Sequence, residues 1–181
     1  MLRKTGTAAI LATHDRMEAL RLSDRIAVMK DGRILQIGSP DVVMNRPADE
    51  FIASFVGVET ILTGKVVSTD SSSFLAAVAG HEIEAVGYVL PGETVLLCIR
   101  PENVSLSTSL KREATSARNV FPAKIEKITP LGLYQRVTLD CGFPLVSYVT
   151  TNSVEGLSLR EGKEVAASFK ATAIHVLRKK R

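Results

Sequence analysis

The sequence predicts a mainly β chain, with small barrels built from short strands behind a shorter α/β stretch, and three observations carry that expectation. After Val58, eight short apolar runs follow one another at the spacing of small-barrel strands. Before it, apolar runs alternate with helical patterns. One turn-plus-strand unit also occurs twice, seventy residues apart: Gly92-x-x-Val95-x-x-x-Ile99-Arg100 and Gly162-x-x-Val165-x-x-x-Phe169-Lys170, with Val104 and Leu106 answering to Ile174 and Val176. Such an echo implies two related barrel halves.

The elements follow in order. Ala8 to Thr13 is a short apolar run of the kind a buried strand shows, ending at Thr13-His14-Asp15. Asp15 can cap a helix running to about Ser23, with Glu18 completing a capping box. Arg25 to Met29 and Arg33 to Ile37 flank Lys30-Asp31-Gly32, and Asp-Gly between β-rich runs signals a tight hairpin. Ser39-Pro40 supplies a cap and a favourable first helical residue. Pro47 to Gly57 is predicted to hold Phe51, Ile52, Phe55 and Val56 on one helical face. The later strands are expected at Leu62 to Val67, Phe74 to Ala79, Val95 to Ile99, Ala123 to Ile128, Arg136 to Leu139, Leu145 to Val149, Val165 to Phe169 and Ile174 to Leu177. Ser105 to Ala114 is polar and reads as a linker. The expected organisation is residues 1–58 as one region and 59–181 as another, the latter in halves of about 59–108 and 115–178.

Composition narrows the function. The 181 residues carry a net charge of +4, but the last four residues are all basic, so the body is neutral. Aromatics are only 5% and tryptophan is absent, which argues against a barrel that stacks single-stranded nucleic acid. No apolar run approaches the roughly 20 residues that span a bilayer. No export signal is legible at the N-terminus, so a cytoplasmic location is expected. Cys98 and Cys141 lie in unlike contexts without ligand partners and read as free thiols.

No catalytic constellation is present. His14, His81 and His175 are widely spaced and fit no zinc pattern. Gly87 to Thr94 has the glycine spacing of a phosphate-binding loop, but Glu93 stands where a lysine would meet phosphate and a strand follows. The stronger candidate combines Thr115-Ser116-Ala117-Arg118-Asn119 with Ser168-Phe169-Lys170-Ala171-Thr172. Hydroxyls, an amide, small residues that let backbone N–H groups face a ligand, and two cations suit a tetrahedral oxyanion, whose hydration shell they can replace. The same residues equally describe a solvated linker followed by an edge strand, and residue types alone do not choose. His14 is open in the same way: it could meet a phosphate or belong to the helix entry.

Two longer stretches are more specific. Ala12-Thr13-His14-Asp15-Arg16-Met17-Glu18-Ala19-Leu20, then Ser23 to Pro40 with its Met29-Lys30-Asp31-Gly32-Arg33-Ile34, closely resembles the end of an ABC-transporter ATPase domain. The resemblance makes the first region an α/β remnant of such a domain and puts His14 at the switch histidine that contacts the γ-phosphate. Walker A, the signature motif, Walker B and the catalytic glutamate would all precede residue 1. The chain alone is therefore expected neither to bind ATP tightly nor to hydrolyse it; ATP and magnesium would belong to a full-length subunit.

The region from about Thr60 to Leu177 resembles the accessory TOBE region of import ATPases, an OB-like β-barrel module. Ser116 to Asn119, Gly156 to Gly162 and Ser168 to Val176 resemble the molybdate-binding Mop repeat. That resemblance implies a molybdate or tungstate pocket lined by Ser116, Arg118, Asn119, Lys170, Ala171 and Thr172, in pockets often shared between repeats or subunits. In the earlier half Arg100 stands where Lys170 does, but Pro101 and Glu102 replace Ala171 and Thr172, and the carboxylate argues against oxyanion binding there. The implied protein is the regulatory end of a molybdate or tungstate importer ATPase, partnered by a second copy and a transmembrane permease. The rival is a purely structural or dimerisation module of an importer for another substrate.

Overall fold

The computed structural model describes residues 8–109 and 115–179. It divides into two compact units, Met1–Val56 and Gly57–Arg181.

In the first unit, helix α1 (Arg16–Leu22) starts where the Asp15 carboxylate accepts hydrogen bonds from the Met17 and Glu18 N–H groups. Those two bonds favour the ionised form and hold the Asp15 carboxyl below its usual range. Strands β1 (Ile26–Lys30) and β2 (Arg33–Gly38) form the expected hairpin. Its turn places Asp31 at φ 49° and Gly32 at φ 73°, the left-handed pair that a two-residue loop requires. Ser39 caps α2 (Pro40–Asn45) and Asp49 caps α3 (Glu50–Phe55). Val28, Val43, Ile52 and Val56 make a small core.

Two expectations for this unit are corrected. Ala8 to Thr13 forms no strand, and Ile10 and Leu11 are exposed. A buried strand needs neighbours to pair with, and the hairpin sheet contains only β1 and β2. The four apolar residues of the last helix do not share one face either. Ile52 and Val56 are buried one turn apart, whereas Phe51 and Phe55, each displaced about 100° around the axis, are 36% and 37% exposed. Lys30 Nζ covers the Phe51 ring at 4.5 Å.

The second unit is β throughout, apart from one short helix and two 3₁₀ turns. Its strands are β3 (Thr60–Thr69), β4 (Ser73–Val78), β5 (His81–Val86), β6 (Thr94–Ile99), β7 (Ser105–Ser107), β8 (Asn119–Leu131), β9 (Tyr134–Asp140), β10 (Pro144–Val149), β11 (Glu164–Phe169) and β12 (Ile174–Arg178). Helix α4 (Thr151–Gly156) precedes β11, and 3₁₀ turns occupy Pro101–Asn103 and Ala171–Ala173. All eight expected strands are present. The sequence reading missed β5, α4 and β7; β7 occupies the start of the stretch read as a linker, and residues 110–114 of that stretch lie outside the described residues.

These strands make two antiparallel sheets, ordered β12-β6-β3-β4-β5 and β10-β9-β8-β11-β7. Each half therefore gives its last strand to the other's sheet. The seventy-residue echo is visible in single hydrogen bonds. Val66 N–H donates to Glu93 C=O and its own carbonyl accepts from Gly92 N–H; Ile125 does the same with Lys163 and Gly162. Both residues sit at a one-residue bulge in the long first strand of their half. One continuous core joins the halves, including Phe74, Ile83, Leu97 and Ile99 from one and Phe121, Ile125, Leu139 and Phe169 from the other. The architecture is the mainly β, OB-like one expected.

Candidate functional site

The first strand of each half begins opposite the last residue of its partner strand: Asn119 pairs with Phe169 in the second half, and Thr60 with Ile99 in the first. Beyond Phe169 the chain enters the 3₁₀ turn, with Lys170 in extended conformation before it. Arg118 and the residues before it thus adjoin β8 at the end where Lys170 and the turn leave β11, the point at which the chain crosses to the other sheet. Strand β5 of the first half packs against the same turn.

The six predicted residues are not alike in this setting. Asn119 is 2% exposed and its amide makes a bidentate pairing across the halves: Oδ1 accepts from Glu84 N–H and Nδ2 donates to Glu84 C=O, both at 2.8 Å. Asn119 thus holds the start of β8 to the outer strand β5. Arg118 is largely exposed, and its Nε donates to Glu84 Oε2 at 3.0 Å. Ser116, Lys170 and Thr172 are exposed, while Ala171 is buried, so the turn's backbone is anchored and its polar ends reach solvent.

Glu84 is the residue sequence reading overlooked. Its backbone fixes Asn119 and its side chain fixes Arg118, and the missing signal was the alternation of His81-Glu-Ile-Glu-Ala-Val86, whose Ile83 and Ala85 are buried. The corresponding place in the first half has its own organiser. The Glu59 carboxylate accepts from Arg136 Nε at 2.5 Å and from the Tyr148 hydroxyl, and Thr60 Oγ1 accepts from Val146 N–H at 3.1 Å.

A separate open groove of about 320 Å³ lies between His81 and the Cys141–Gly142 turn and contains none of the predicted site residues. A small tetrahedral ion would be poorly enclosed there, so the crossover, with its convergent donors, remains the better candidate. Cys98 and Cys141 are buried and not joined in a disulfide, and burial pushes the Cys141 thiol up to about 12. Among the described residues no group of three His, Cys, Asp or Glu side chains is placed to hold a metal. His14 is exposed beside the capped entry of α1. No helix among the described residues is long and apolar enough to cross a membrane.

Residues 115–176 match the TOBE domain family. The chain is 39% identical, over 96% of its length and 48% of the relative's, to the molybdate/tungstate import ATP-binding protein WtpC of Pyrococcus horikoshii. It is 34% identical, over 97% of its length and 47% of the relative's, to the spermidine/putrescine import ATP-binding protein PotA of Ruegeria pomeroyi. The chain spans about half the length of these curated relatives. Its fold is shared with the molybdate-bound structure of the cytoplasmic molybdate-binding protein ModG, at a TM-score of 0.59 and 21% identity, covering 67% of this chain and 97% of that one.

Proposed function

Starting from a chain that carries a TOBE domain and is related to the ATP-binding subunits of ABC importers, we propose that it is the oxyanion-sensing, regulatory portion of a molybdate or tungstate importer subunit. The observation that carries this reading is the Asn119–Phe169 register: Arg118 precedes one member of that pair and Lys170 follows the other. Lys170 and Arg118 supply charge to a doubly negative tetrahedral ion. Ser116 and Thr172 supply hydroxyls, and the turn at Ala171 supplies backbone N–H. Asn119 helps hold this set in place, bonded to Glu84 through its carbonyl oxygen and one of its two amide N–H groups.

Regulation follows from differential affinity. An oxyanion that binds the inhibited arrangement of the transporter better than the active one slows uptake when the ion is plentiful; equal affinity for both would shift nothing. The partners in this reading are a second copy of the subunit and a transmembrane permease, with the subunit on the cytoplasmic face. ATP chemistry belongs to the whole subunit, where His14 would take the switch position.

Calorimetric titration with molybdate, tungstate and sulfate tests the proposal. Metalate binding is expected, and Lys170→Ala should weaken it about 10- to 100-fold, the scale of one charge-assisted hydrogen bond. Unchanged affinity in that variant removes the pocket. The likeness to a spermidine/putrescine import subunit supports a second reading, a barrel that serves only subunit contacts. Absence of any oxyanion response with dimerisation retained would favour it.

A further inference from the structure

The two crossovers are copies with different chemistry. Strands β6 and β11 and the two 3₁₀ turns stand seventy residues apart, so Arg100, Pro101 and Glu102 occupy the places of Lys170, Ala171 and Thr172. Glu59 and Thr60, preceding and opening β3, occupy those of Arg118 and Asn119. Three of these differences run against a free anion. Pro101 has no N–H to offer where Ala171 has one. Glu59 puts a carboxylate where Arg118 puts a guanidinium.

Glu102 goes further, because its carboxylate turns back to Arg100, with Oε1 3.6 Å from Nη1. The Arg100 side chain is only 17% exposed, and the Glu102 side chain beside it is 53% exposed.

We propose that the first crossover is a closed copy of the anion site, in which the Glu102 carboxylate is a tethered anion standing beside Arg100 where a free oxyanion would stand beside Lys170. This inference rests on the oxyanion reading of Lys170. A pair this exposed is individually weak. Closure needs little pair energy, however: the tether keeps the carboxylate at high effective concentration, and its charge repels a dianion arriving at the same cation. One crossover then answers to ligand while the other stays permanently filled, so that two similar halves give one response.

The test is tungstate stoichiometry by calorimetry on the full chain. Replacing Pro101→Ala and Glu102→Thr together, which copies Ala171 and Thr172, should double the number of ions bound. Adding Lys170→Ala to that background should remove one set and leave the other. Glu102→Gln, which keeps the side chain's size, should by itself open a second, weaker set and covers the case in which the double variant folds poorly. No added binding in folded variants, while the natural chain binds and Lys170→Ala abolishes it, overturns the closed copy and leaves the oxyanion reading standing. Two sets already present in the natural chain, one lost with Arg100→Ala and one with Lys170→Ala, would do the same. Unchanged affinity in Lys170→Ala removes both.

Discussion

The two crossovers of the second unit share a backbone and differ in what they leave open. At the second, Lys170 is exposed and Arg118 keeps 67% of its side chain in solvent while leaning on Glu84. At the first, Arg100 is sheltered, and Glu59 is gripped by Arg136 and Tyr148. The framework bonds that hold each bulge to its glycine turn are the same in both halves. A backbone built twice thus fixes where a site can be, and a handful of side chains decides whether it is open.

The sharpest way to probe this comparison is at the paired anchors. Asn119→Ala removes two hydrogen bonds and strands both the N–H and C=O of Glu84, which should cost about 2–3 kcal/mol. Thr60→Val removes one bond, to Val146 N–H, and should cost about 1 kcal/mol. Urea unfolding of the two variants measures the difference. Equal losses would mean that Asn119 is not the stronger tie between the halves. Because each half's last strand lies in the other's sheet, both variants should still unfold in a single transition of this unit.

How much of this was legible follows from which forces are local. The Asp31-Gly32 turn and the caps at Asp15 and Ser39 are written in adjacent residues, and each formed where expected. Even the echo between Gly92 and Gly162 could be read, because a turn followed by a buried strand carries both a glycine and a periodicity. Strand β7 could not: its Ser105-Leu106-Ser107 has the composition of a linker and becomes a strand only because β11 offers it an edge. Ala8 to Thr13 failed in the opposite sense, an apolar run with no strand to pair with. At the site, sequence placed Lys170 and Arg118 in one neighbourhood, but it gave Asn119 a ligand-facing role. Only the fold reveals that β5 lies alongside and that Glu84 takes both ends of the amide.

A second comparison lies in the hairpin turns of the two halves. Gly80 at φ 84° and Gly142 at φ 81° have the same left-handed backbone, but a Cβ on Gly80 meets nothing within 4 Å, whereas one on Gly142 would lie 2.5 Å from His81 Nε2. To yield, the His81 ring must shift from its edge-on contacts with Phe121 at 5.8 Å and Phe143 at 5.6 Å. Gly80→Ala should therefore cost about 1 kcal/mol from backbone strain alone. Gly142→Ala should cost about 2 kcal/mol, the same strain plus displacement of His81. Thermal melts of the pair separate the two contributions; matching values would show that the ring moves aside freely.

The smallest expected effect concerns pH and belongs to the closed crossover alone. Burial, and then the hydrogen bond that Tyr148 donates to the Glu59 carboxylate, hold the Tyr148 phenol well above its ordinary range, since a phenolate there would be desolvated and face a like charge. Below about pH 10, the ordinary tyrosine value, both the folded and unfolded chains keep that proton and the contribution to stability is complete. As pH rises past it, the unfolded chain loses the proton first, so stability declines toward the higher folded value. Tyr148→Phe has no proton to lose. Its deficit relative to the natural chain should be constant from pH 7 to 9 and shrink between pH 10 and 11.5, read as the gap in urea midpoints. The corresponding position at the open crossover is Val86, and Val86→Ala should show a gap that does not change with pH in this way. A parallel decline in both comparisons would mean that the Glu59 cluster does not distinguish the closed crossover from the open one.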